Sequence, residues 1–119
     1  MGEILTDFES RKDFFEMLQK PHNGVIAKFT ATWCGPCKKI APTVDNFFEQ
    51  MKGTYTCCNI DVDDCFDLYA FMKSKKMTNG IPTILYYKKG NTNLIPDASI
   101  SGGNVANVEN FFKSILSNK

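Results

Sequence analysis

Trp33-Cys34-Gly35-Pro36-Cys37-Lys38-Lys39-Ile40-Ala41-Pro42 decides how this chain is read. Two thiols at this spacing can close into a small disulfide ring or stand open as a dithiol, so the pair can carry two electrons. Upstream, residues 25–31 (Val-Ile-Ala-Lys-Phe-Thr-Ala) read as a buried strand with one odd member, Lys28. Downstream, Ile40, Val44, Phe47, Phe48 and Met51 recur at helical spacing, which predicts a helix over 35–51. Pro42 lies inside that pattern, where it removes a backbone donor and crowds the carbonyl four residues back, so a kink is expected. The cysteine pair therefore falls at a strand-to-helix junction.

Working outward, residues 8–20 read as an amphipathic helix (Phe8, Phe14, Phe15, Leu18), ended by Pro21 and Asn23-Gly24. Thr54 to Val62 reads as a second strand. Asp63-Asp64 is expected to cap a helix from about Cys65 to Lys75, broken at Thr78-Asn79-Gly80. Pro82 to Tyr87 is a third strand that starts at a proline, where a strand tolerates one. A turn at Lys89-Gly90-Asn91 leads to a last strand near Ala98–Ser101. After Gly102-Gly103, Asn104 can cap a closing helix with Val105, Val108, Phe111, Phe112, Ile115 and Leu116 on its apolar side. The order is α-β-α-β-α-β-β-α, with a short extra strand at 3–5. This is an α/β class: a central mixed sheet of four to five strands flanked by four helices.

The 119 residues suit one domain, 1–119. A net charge of +1 gives no reason to expect a nucleic-acid or anionic-membrane surface. No stretch approaches the ~18 consecutive apolar residues of a membrane span. The acidic start, Met1 to Arg11, does not read as a secretory signal. Met1-Gly2-Glu3-Ile4-Leu5-Thr6 fits the loose myristoylation pattern, but Glu3 sets a negative charge beside the acceptor, and membrane attachment is not expected. Five cysteines, an odd number with no export signal, argue against a structural disulfide framework and for a reducing compartment, the cytoplasm. As half of a zinc site, Cys34 and Cys37 would need two more ligands. Cys57-Cys58, adjacent on a strand and pointing to opposite faces, make a poor second half, so no metal is expected. His22, alone beside Pro21, reads as a solvated loop residue.

Three separated features carry a resemblance: Phe29 to Pro42 around the two cysteines, Asp61-Val62-Asp63-Asp64-Cys65, and Gly80-Ile81-Pro82-Thr83 running into an apolar strand followed by Lys88-Lys89-Gly90. Together they resemble the thioredoxin family over nearly the whole length. Cys34 at the start of a helix has unpaired amide donors and the helix dipole to favour its thiolate, the species that attacks a disulfide. The resemblance implies Cys34 as nucleophile and Cys37, one turn on, as resolving thiol of a protein-disulfide reductase in cellular redox homeostasis. It also implies a cis bond before Pro82, with Trp33, Ile81, Pro82 and Gly102 lining a substrate groove. Gly35 would allow close approach of a partner backbone, and Pro36 would stiffen the loop towards the dithiol. No bound cofactor is expected. Reducing equivalents would come from a reductase resembling thioredoxin reductase, of the flavin and NADPH type, and the substrates would be disulfide-containing proteins. Two other activities stay open: a disulfide oxidase or isomerase, and a non-catalytic binding module or adaptor on the same fold.

The chain departs from the family in several places. Members usually carry a buried acid six residues before the nucleophile, and here that residue is Lys28. A lysine that often accompanies it on the next strand is replaced by Cys57. Lys28 could stay charged and stabilise a thiolate, making the pair more oxidising; it could be neutral and act as the missing base; or its stem could carry the ammonium to water. Lys28→Asp is expected to change the pH dependence of disulfide reduction. Cys65 follows Asp63-Asp64 as in animal-type members, where it joins a second disulfide, but the usual partner position holds Met72. Cys57, Cys58 and Cys65 are read as small core residues. The stretch Cys65 to Ile81 and the hairpin Gly90 to Ser101 are each longer than the family norm.

Overall fold

A computed structural model describes residues 2–117. Eight elements follow in the expected order: α1 (Arg11–Gln19), β1 (Val25–Thr30), α2 (Gly35–Met51), β2 (Thr56–Asp61), α3 (Phe66–Ser74), β3 (Thr83–Tyr87), β4 (Ala98–Ser101) and α4 (Val105–Ser117). The strands form one sheet in the order β2-β1-β3-β4. β1 runs parallel to β2 and antiparallel to β3, and β4 is antiparallel to β3. The sheet is therefore mixed, with β1 inside it and bonded on both edges. The two ends of the expected 1–119 domain, and Met1 of the acylation pattern, lie outside the described residues.

Alternation along β1 builds two cores. Val25, Ala27 and Phe29 face one side with Cys58, Ile60, Leu85 and Tyr87, and receive Phe14 and Leu18 of α1 and Leu68 and Met72 of α3. Ile26 faces the other with Cys57, Ile84 and Tyr86, and receives Ile40, Val44 and Phe48 of α2 and Val108, Phe112 and Ile115 of α4. Phe47 and Phe112 stack between those two helices, with centroids 3.9 Å apart and planes 3° from parallel. Cys57 and Cys58 thus point to opposite faces, as a two-residue period requires.

Local chemistry moved several boundaries. α1 begins at Arg11 rather than Phe8 because the Asp13 carboxylate accepts the N–H groups of Glu9 and Ser10, while Phe8 packs edge-on against Phe14. The extra strand at 3–5 shrinks to one bridge: Leu5 donates to the Cys57 carbonyl and accepts from Asn59, at 2.9 Å each. The cap expected from Asp63-Asp64 is replaced. Asp61 Oδ1 accepts from both of their N–H groups and shapes the turn, and the N-cap of α3 is Cys65, which makes no side-chain capping bond. Asn104 does cap α4, its Oδ1 accepting from Asn107 at 3.0 Å. α2 runs through Pro42 as one helix. Leu116, assigned to the apolar side of α4, is 36% exposed.

His22 corrects another expectation. Its Nδ1 accepts the Gly24 N–H at 3.0 Å and its Nε2 lies 3.0 Å from the Asn91 carbonyl. The half-buried ring therefore ties the α1–β1 loop to the β3–β4 hairpin rather than standing in solvent.

Candidate active site

The strand β1 ends at Thr30 and α2 starts at Gly35, which leaves Cys34 as the N-cap of a 17-residue helix. Its Sγ accepts the Cys37 backbone N–H at 3.2 Å, so one otherwise unpaired donor of the first turn is aimed at sulfur. That donor and the positive end of the helix favour negative charge on Cys34 once the thiol is released. Cys34 and Cys37 are joined as a disulfide, with Cα atoms 5.2 Å apart. Both sulfur-bearing residues are buried, Cys37 more fully than Cys34, while Gly35 and Pro36 between them are exposed. The loop thus presents its backbone outward and keeps Cys37 inside.

A second segment closes on this loop. The Ile81-Pro82 bond is cis. The Ile81 carbonyl lies 4.0 Å from Cys34 Sγ, although 47 residues separate the two in sequence. β3 begins one residue after Pro82, because proline has no N–H to give a ladder. Gly102, at φ +101°, donates its N–H to the Pro82 carbonyl at 3.0 Å, a backbone angle that favours glycine. Trp33 is 65% exposed and stands beside the pair. The groove residues named from sequence are therefore brought to one end of the sheet.

Two contributors were missed. Trp33 Nε1 donates to Asp63 Oδ2 at 2.8 Å, so the turn after β2 orients the indole. Gly103 packs on the active-site loop so closely that a Cβ there would sit 2.8 Å from Pro36 Cβ. The doubled glycine after β4 was the visible signal for the second; nothing local in sequence marks the first.

A cleft of about 560 Å³ opens beside the pair, lined among others by Cys37, Lys28, Asp45 and Asn59. Lys28 is buried, and its Nζ lies 3.9 Å from Asp45 Oδ1, whose side chain is 64% exposed. Burial pulls the Lys28 ammonium below the usual lysine range, and Asp45 only partly restores it. Cys57 does not line this cleft. Its thiol leans on the Tyr55 carbonyl, and burial pushes its pKa up to about 12. Burial also raises Cys58, and it raises Cys65, whose Sγ donates to the Thr6 carbonyl. The three free thiols are therefore protonated core groups. Among the described residues, no group of three or more histidine, cysteine, aspartate or glutamate side chains could hold a metal ion.

Against known families, residues 6–114 match the Thioredoxin model. The chain belongs to the thioredoxin family. The family's members are disulfide oxidoreductases, and the Cys34–Cys37 pair is the disulfide-capable element that such activity uses. Mouse thioredoxin is 41% identical over 86 residues, covering 69% of this chain and 74% of that protein. The M-type chloroplastic thioredoxin of wheat is 34% identical over 79 residues, which are 66% of this chain but only 43% of the wheat protein. Among solved structures, Fasciola hepatica thioredoxin superposes with a TM-score of 0.72 and 23% identity, covering 98% of this chain and 100% of that one, a likeness of fold. No helix among the described residues is long and apolar enough to cross a membrane.

Proposed function

We propose that this protein, as a single domain over 1–119, is a protein-disulfide reductase that works by dithiol exchange. The observation that carries the reading is the meeting of Cys34 Sγ, at the N-terminus of α2, with the Ile81 carbonyl of the cis-Pro82 segment. A sulfur with donors behind it and extended backbone beside it suits a peptide-borne disulfide.

The Cys34 thiolate attacks one sulfur of the substrate disulfide. A Cys34–substrate bond forms, the substrate S–S bond breaks, and the departing thiolate takes a proton from water. Cys37 then attacks Cys34 Sγ as thiolate. The Cys34–Cys37 bond forms, the mixed disulfide breaks, and the second substrate sulfur leaves and is protonated. The substrate has gained two electrons and the protein has lost them. The Ile81 backbone, outside the β3 ladder, pairs with the substrate strand. Trp33, Pro82, Gly102 and the Gly35-Pro36 turn form the walls of the groove. The internal disulfide is reopened by a partner reductase drawing on NADPH, and the setting is cytoplasmic electron transfer to disulfide-containing proteins.

Reduction of insulin by the purified protein with dithiothreitol tests this. Turnover well above the dithiothreitol background, abolished by Cys34→Ser, is expected. Absence of turnover from a folded protein with a free Cys34 thiol would leave a binding module as the better reading.

A further inference from the structure

Lys28 is the only buried charged side chain among the described residues. It sits in the middle of β1, paired in register with Asn59 of β2 and Ile84 of β3, so the backbone cannot carry it outward. Its side chain follows Ile26 onto the α2 face and reaches the cleft that Cys37 also lines. The charged or titratable groups around that cleft are Asp7 of the N-terminal segment, Asp61 at the end of β2, Asp64 in the turn after it, and Cys37, Lys38 and Asp45 of α2. Of these, Asp45 lies within ion-pair distance of Lys28, at 3.9 Å and largely in solvent, where screening weakens it. Asp61 spends one carboxylate oxygen on the N–H groups of Asp63 and Asp64. Asn59 Oδ1, beside Lys28 on the same cleft, is buried with no hydrogen-bond partner. A buried ammonium whose one counter-ion is largely in solvent gains from any negative charge that forms nearby. The resolving step forms one, on Cys37.

We propose that Lys28 is a positioning residue for the resolving thiol: from the cleft it shares with Cys37, its ammonium stabilises the Cys37 thiolate. This rests on the reductase reading above and adds to it which group governs its second step. Where the amine is neutral, it takes the proton of the Cys37 thiol; where it is already protonated, the thiol loses its proton to water. Either way the reacting state is ammonium and thiolate. Cys37 then attacks Cys34 Sγ, the substrate sulfur leaves with the electron pair of the broken bond, and solvent in the cleft protonates it. The same stabilisation favours the reduced protein, so it makes the couple more oxidising. A shift of about one unit in the Cys37 midpoint corresponds to about tenfold in the equilibrium between thiol and thiolate.

Lys28→Met keeps the length and removes the charge. Measured against glutathione at a pH above the Cys37 midpoint of both proteins, its Cys34–Cys37 equilibrium should move about tenfold towards the disulfide, about 30 mV more negative. Cys37 in the reduced variant, followed by its 13Cβ shift, should titrate about one pH unit higher. Both values unchanged would overturn the proposal. A second measurement needs no variant. The coupling is reciprocal, so the 13Cε resonance of Lys28 must titrate higher in the reduced wild-type protein than in the oxidised one. Equal midpoints would overturn the proposal even if Lys28→Met does not fold. Failure of the wild type to reduce insulin would instead remove the reductase reading, while the two titrations would still report the Lys28–Cys37 coupling.

Discussion

Gly103→Ala should strain the turn between the two cysteines. A Cβ at this position would stand 2.8 Å from Pro36 Cβ and 3.0 Å from Pro36 Cα and carbonyl oxygen, where ordinary contacts begin at 3.4 Å. The obstructing atoms are backbone and a ring joined to it, so no side-chain rotation relieves them. Either the Gly35-Pro36 turn or the start of α4 has to move by about 0.5 Å, and overpacking of this kind costs ~1–3 kcal/mol. Gly35→Ala supplies the control: it lies in the same loop, and an added Cβ meets nothing within 4 Å. That exposed change should stay within about 0.5 kcal/mol of the wild type. Urea unfolding of the oxidised proteins separates the two, since Gly103→Ala should lower the midpoint at an unchanged slope. Heating should agree, at about 4 °C of lost Tm per kcal/mol for a chain of this size. Equal stability of the two variants would refute the claim that Gly103 is a close-packed support of the active-site loop.

His22→Ala removes the acceptor of a buried N–H, that of Gly24, together with the tie to Asn91. It should cost ~1–3 kcal/mol in a thermal or urea melt, and a neutral result would mean that water replaces the ring. Asp67, hydrogen-bonded to Arg11, is held down to about 2 from an ordinary value of 3.8. A depressed carboxyl contributes stability above the unfolded value and loses it as pH falls through the folded one. Wild-type stability should therefore decline between about pH 4 and pH 2 more steeply than that of Asp67→Asn, and parallel curves from the two proteins would contradict the pairing. Iodoacetamide at pH 8 should label Cys34 of the reduced native protein quickly and leave Cys57, Cys58 and Cys65 unmodified until urea is added. Rapid native labelling of Cys57, whose pKa stands at about 12, would place it outside the core.

The eight elements and their order were legible because each rests on local pattern: alternation in Val25–Thr30, helical spacing from Ile40 to Met51, and Asn104 before an apolar face. Boundaries slipped where a side chain outside the pattern took over, as when Asp13 started α1 after Phe8, or Asp61 shaped the turn assigned to Asp63-Asp64. The cysteine pair and the Ile81-Pro82 segment were legible through the family resemblance, since no local rule brings residues 47 positions apart together. Contacts that depend on three-dimensional neighbours could not be read. Trp33 meets Asp63, and His22 meets Asn91, across distances in sequence that periodicity does not span. Lys28 lies between these cases. Its strand position fixed the face it occupies, but whether its ammonium escapes to water depends on what covers that face, and α2 covers it.

The central claim is that Cys34 attacks and Cys37 resolves. Its most direct test is the trapped intermediate of Cys37→Ser, incubated with a peptide disulfide and read by mass spectrometry without reductant. The account predicts one stable mixed disulfide on Cys34, absent from Cys34→Ser and short-lived in the wild type. An adduct that forms on Cys57, Cys58 or Cys65, or one that the wild type retains as long as Cys37→Ser does, would contradict it.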